Sequence, residues 1–148
     1  MSDLLKRQSI ATSIVNKYAF SELQWGTIDC ATLVCDVLDA FGISHPLQAT
    51  KTYKTRTGAL RFMRSHGESL AQIVDSLEVR AIAPAQAIEC DLVAIPAGDA
   101  AFGEALGVVI GPNKVMAFVE VNGVIKADVG DLNEILAVAP SVKAWRAA

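Results

Sequence analysis

Trp25-Gly26-Thr27-Ile28-Asp29-Cys30 runs straight into an apolar stretch, Ala31 to Phe41, that Gly42 closes. The order is loop, acidic cap, thiol, then a helix apolar on most faces. Only Thr32, Asp36 and Asp39 interrupt that helix. A helix apolar nearly all round belongs in the middle of a domain, with other elements around it. Backbone N–H groups at its start are unpaired and carry partial positive charge, which favours a thiolate there. Cys30 is therefore the candidate nucleophile, flanked by Trp25, Gly26 and Asp29. A buried structural thiol is the competing reading of the same residue. Asp29 acts in two directions, because it caps the helix while its charge raises the pKa of a neighbouring thiol.

Upstream, Leu4, Leu5, Ile10, Ile14, Val15 and Tyr18 fall near a helical period, which predicts an amphipathic helix over 3–18 capped by Ser2 or Asp3. Downstream, Gly42 suits a left-handed C-cap and Pro46 prevents a restart. Leu47 to Arg56 is polar, rich in Lys and Thr, and without a strong period. Thr57 is placed to cap a short helix to Arg64, ended by Gly67, and a further helix over about 68–77 aligns Leu70, Ile73, Val74 and Leu77.

The second half changes texture. Asp91–Ile95 stops at Pro96, Leu106–Ile110 stops at Gly111-Pro112, and Val115–Val121 turns at Asn122-Gly123 into Val124–Ala127. Asn-Gly between two β-rich runs is a strong hairpin signal. Val142–Arg146 reads as a closing strand. Helices followed by an antiparallel meander predict an α+β domain whose N-terminal helices pack on one side of a small antiparallel sheet, the Cys30 helix against it. The expected organisation is one domain over 1–148: an N-terminal helical segment 1–24, a helical half 25–77 with the Cys30 helix, and a sheet half 88–148.

At 148 residues with 52% apolar and 20% charged side chains, the chain supports a well-filled core and a surface made to meet a partner. A net charge of −3 leaves no basic footprint for nucleic acid. No apolar run approaches the roughly 20 residues that span a bilayer, and the N-terminus lacks the apolar core of a secretory signal. Synthesis in the cytoplasm with free thiols is the expectation. Cys30, Cys35 and Cys90 show no zinc spacing, so neither metal nor cofactor is expected.

A cysteine nucleophile needs a base, almost always histidine. His45 follows the Cys30 helix at its far end, roughly 18 Å away at about 1.5 Å per residue. His66 sits in a last helical turn, where the helix dipole accounts for it. Cys35 reads as core, Cys90 has no visible partner, Asp128 and Asp131 read as turn residues around Gly130, and Gly103–Gly107 lacks the signals of a phosphate loop.

These motifs resemble the NlpC-like cell-wall peptidases, papain-like cysteine enzymes, and within them a compact branch from phage and prophage tail-gene clusters. The family's Trp-Gly-x-x-Asp-Cys is matched by Trp25, Gly26, Asp29 and Cys30. Its Gly-Asp-Leu-Val is matched by Cys90-Asp91-Leu92-Val93, with cysteine for glycine. Its His-Val-Gly-Ile-x-Ile-Gly is matched by Ala105–Gly111, and its closing Ala-Trp-Arg by Ala144–Arg146. The resemblance implies a papain-like NlpC-type fold with Cys30 at the nucleophile position. It also puts Ala105 where the family has its histidine and Ala117 where it has the third, polar residue. A one-residue slip gives Leu106, Met116 or Phe118, none of which takes a proton.

Two functions follow from the resemblance. One is a catalytically degenerate domain kept as a structural or adaptor part of a phage tail tip or related particle, with other tail proteins as partners. The other is an active peptidase or amidase on peptidoglycan peptides, using Cys30 with His45, His66 or a base from a neighbouring chain. A free cytosolic domain with fold-level similarity alone is a third reading.

Overall fold

Side-chain caps start four of the five helices among the described residues. The computed structural model describes residues 3–47, 52–95, 100–139 and 142–147, which leaves Ser2 as a cap and the Pro96 stop outside it. Helix α1 spans Asp3–Tyr18, α2 Cys30–Ala40, α3 Arg56–His66, α4 Leu70–Asp75 and α5 Leu132–Val138. Asp29 caps α2 in a reciprocal box with Thr32. At the other end Gly42, at φ +70°, and Ile43 donate to Asp39 and Leu38, as in a Schellman stop. Thr55, not Thr57, caps α3 by accepting from the Gly58 N–H.

The buried stripe of α1 is Arg7, Ala11, Ile14 and Tyr18, while Leu4 and Leu5 are exposed. A charged residue takes a core position because its partners are already there. Arg7 reaches Asp91 Oδ1 at 3.2 Å and donates to the carbonyls of Glu89 and Ala147. Arg146 grips the other Asp91 oxygen at 2.8 Å. This cluster ties α1 to the start of one strand and the end of another.

Six antiparallel strands follow: β1 Val79–Ile82, β2 Leu92–Ile95, β3 Ala105–Gly111, β4 Lys114–Val121, β5 Val124–Asp131 and β6 Lys143–Ala147. Their order is β1-β6-β2-β3-β4-β5, so the last strand inserts between the first and second. Asn122 and Gly123, both at positive φ, turn the β4–β5 hairpin. Leu92, Leu106, Val108, Met116 and Trp145 pack with the side chains of α1–α4. Val93, Ile95, Val109, Val115 and Ala144 form a smaller core with Leu132 of α5.

The α+β class is as expected; beside the Thr55 cap and strand β1, which precedes the expected sheet half, two further features differ. Asp128 and Asp131 do not flank a turn: β5 runs through both, and Asp131 then caps α5 by accepting from the Glu134 N–H. The N-terminal helices do share one face, but α5 covers the opposite one.

Candidate active site

The chain reaches Cys30 along the outer edge of the sheet. Phe20 and Leu23 donate to the carbonyls of Ala127 and Ile125, and Ser21 accepts from Ala127. A tight turn joins Gln24 and Ile28, with Gly26 at φ +84°. Asp29 closes it. Its Oδ2 accepts from the Gly26 N–H at 2.8 Å and the Tyr53 hydroxyl at 2.9 Å, and its Oδ1 from the Thr32 N–H at 2.8 Å. Asp29 is buried. Its carboxylate organises the loop and the helix start. Burial first, and then the charge of Asp29, hold the Tyr53 hydroxyl protonated.

Cys30 is half-buried at the first residue of α2 and opens into a cleft of about 700 Å³. The walls are apolar. Trp25 stacks on Phe102 with centroids 5.7 Å apart, Tyr53 meets Phe62 at 5.6 Å, and Leu106, Phe118 and Ile125 line the sheet side. Desolvation, reinforced by Asp29, pushes the Cys30 thiol up to about 12, and backbone hydrogen bonds from Leu106, Cys30 and Ala31 only partly oppose this. Burial, with the charge of Asp29 added to it, therefore outweighs the helix-start effect that made Cys30 a candidate thiolate.

The two histidines are elsewhere. His45 lies beyond the C-terminal end of α2, with its Nε2 2.7 Å from Asp39 Oδ1 and its Nδ1 accepting from the Leu47 N–H. His66 is exposed at the end of α3, its ring against Phe62 and its Nδ1 2.9 Å from the Phe62 carbonyl oxygen. Neither lines the cleft. Ala105 does line it, beside Leu106. Ala117 instead borders a smaller cavity with Ile95, Val115 and Ile135. Phe118, one residue on, does line the cleft, as do Val119 and Glu120 of the same strand.

Cys35 is buried in α2 and its thiol donates to the Leu47 carbonyl at 3.4 Å. Cys90 has the partner that its sequence context did not show, the Arg7 carbonyl at 3.1 Å. Among the described residues no group of three His, Cys, Asp or Glu side chains is arranged to hold a metal ion, and no helix is long and apolar enough to cross a membrane. Tyr53, Phe102 and Glu104 are members of the site that sequence reading missed. Tyr53 lies in the aperiodic polar stretch, and the other two come from the connection before β3. None carries a local pattern that points to Cys30.

No curated protein matches this sequence. A family model does match, over residues 6–138, which takes in the Cys30 loop, α1 to α5 from Lys6 onward, and all of the sheet except β6. The chain belongs to the family described as a domain of unknown function, DUF6950.

Proposed function

We propose that this protein is a structural or adaptor component of a phage tail tip or related tail-like particle, built on a catalytically degenerate NlpC-like peptidase domain. The observation that carries the reading is the Cys30 site itself. A thiol stands at the nucleophile position of a cleft, yet no described side chain lining that cleft is a histidine, and burial beside Asp29 keeps the thiol protonated. The motif resemblance supplies the family and the tail-particle setting. The exposed apolar side chains of the β4–β5 hairpin, Val119, Val121, Val124 and Ile125, suit a subunit that covers them in an assembly.

The active-peptidase reading has one observation in its favour. Cys30 faces the cleft, and backbone hydrogen bonds converge on it. One experiment separates the two. Iodoacetamide labelling of Cys30, followed by peptide mass spectrometry, should be slow at pH 7 and still accelerating at pH 10. A plateau reached below pH 8, together with release of peptide from peptidoglycan fragments that Cys30→Ala abolishes, would reverse the assignment. The particle setting is tested separately, by probing purified tail particles for the chain. Its absence from them would refute the adaptor role.

A further inference from the structure

The cleft at Cys30 is unbalanced in charge. Asp29, Glu104 and Glu120 line it, and no lysine or arginine does so among the described residues. Asp29 is fully engaged by the Gly26, Thr32 and Tyr53 donors. Glu104 gives one oxygen to the Ala71 N–H at 3.1 Å, and Glu120 lies exposed on β4, paired across the hairpin with Ile125. The rest of the wall is aromatic or aliphatic. It reaches the exposed rim of the cleft on the β4–β5 hairpin, where Val119 and Ile125 line it and are each 41% exposed. Such a surface favours an occupant with an apolar body and positive charge beside it, because an anion would be desolvated against carboxylates.

We propose that the cleft receives an extended segment of a partner protein in which a bulky apolar side chain is flanked by lysine or arginine, the apolar group seated among Trp25, Phe102 and Phe118 and the cations meeting Glu104 and Glu120. A segment, rather than a small amine, fits an apolar wall that runs from Trp25 and Phe102 out to this exposed rim. The proposal rests on the adaptor reading and names the chemistry of the partner that this reading requires.

The test uses the full chain, isotopically labelled, and two capped peptides of equal length, Ac-Leu-Lys-Phe-Lys-Leu-NH2 and Ac-Leu-Glu-Phe-Glu-Leu-NH2. The lysine probe should bind saturably, shift the Trp25 indole N–H resonance, and bind about tenfold more tightly than the glutamate probe. The gap should narrow in high salt. In the double variant Glu104→Gln, Glu120→Gln the two peptides should bind alike, with resonances elsewhere unchanged. Equal affinities in the unmodified protein, failure of the lysine probe to saturate, or a gap that survives the double substitution would overturn the proposal. So would phenethylamine binding as tightly as the lysine peptide, which would make the cleft a small-molecule site, or self-association that closes it. Failure of the peptides while the chain is found in tail particles would sink this inference alone. Peptide binding by a chain absent from particles would sink the adaptor reading alone.

Discussion

Cys90 holds a backbone conformation that its own side chain opposes. Its φ is +73°, in the left-handed region, where glycine is the residue that fits without strain. A non-glycine residue there costs about 1–2 kcal/mol, and the thiol offsets part of this through burial and its bond to the Arg7 carbonyl. Removing the thiol separates the two effects. Cys90→Gly loses the sulfur but also the strain, whereas Cys90→Ala loses the sulfur and keeps the strain. The glycine variant should therefore be the more stable by about 1 kcal/mol, the reverse of the usual order of these residues in an extended segment. Urea midpoints of the two variants check the ranking. Cys30 allows a second prediction at this scale. Ala105 lines the same cleft as Cys30, so Ala105→His should bring the onset of Cys30 labelling down toward neutral pH, because an imidazolium beside the sulfur stabilises the thiolate. An unchanged labelling profile in a folded Ala105→His protein would show that the two positions do not meet across the cleft. Cys30 and Asp29 are legible in sequence because a cap and the residue after it are local features. Tyr53 and Glu104 are not, because only the tertiary fold brings their oxygens to Asp29 and to α4.

At the scale of elements, the capping residues carry unequal weight. Thr55 satisfies one N–H at an exposed helix start, so Thr55→Ala should cost about 1 kcal/mol. Asp29 satisfies the Thr32 and Gly26 N–H groups and the Tyr53 hydroxyl, all buried. Asp29→Ala should therefore cost about 4 kcal/mol, a cap plus two stranded donors, and thermal melts of both variants measure the difference. The elements hidden in the sequence have physical reasons for being so. Strand β1, Val-Arg-Ala-Ile, is a four-residue edge with too few apolar positions to show a period. Helix α5 carried a readable signal, because Asp131-Leu-Asn-Glu134 has the cap-then-acid spacing of a helix start, but Gly130 beside it reads as a turn. The Glu134 N–H and then the Asn113 side chain hold the Asp131 carboxyl below its ordinary range. A depressed carboxyl stabilises the fold above the unfolded pKa and loses that contribution as pH falls through the folded one. Hydrogen exchange of the α5 amides, corrected for intrinsic rates, should lose protection in acid before α2 does. By contrast, the long periodic features of α1 and α2, the Asn122-Gly123 hairpin and the β3 and β4 runs are readable from sequence, because each states its own period.

The molecule as a whole depends on its last described strand. The family match ends at residue 138, before β6 begins at Lys143. Yet β6 lies inside the sheet, bonded to β1 on one side and β2 on the other. Its removal would leave β1 with no strand to pair with and expose the inner edge of β2. It would also take away Trp145, which is 1% exposed and donates from Nε1 to Asp75 at 2.8 Å, together with Arg146, one of the two cations on the buried Asp91. Deleting a buried tryptophan side chain costs about 3–5 kcal/mol, and withdrawing one of the two cations from the buried Asp91 adds to that loss. Together these rival the roughly 5–15 kcal/mol by which a whole domain is stable, before the lost strand pairing is counted. A chain ending at Ala139 contains every residue of the family match and should nevertheless fail to fold cooperatively, with no sigmoidal urea transition and weak near-ultraviolet dichroism. The double variant Trp145→Phe, Arg146→Lys keeps the strand and an apolar ring, and should retain the transition at a lower midpoint. A cooperative transition in the truncated chain would mean that β1–β5 and the helices make a self-sufficient core, and that β6 only decorates it.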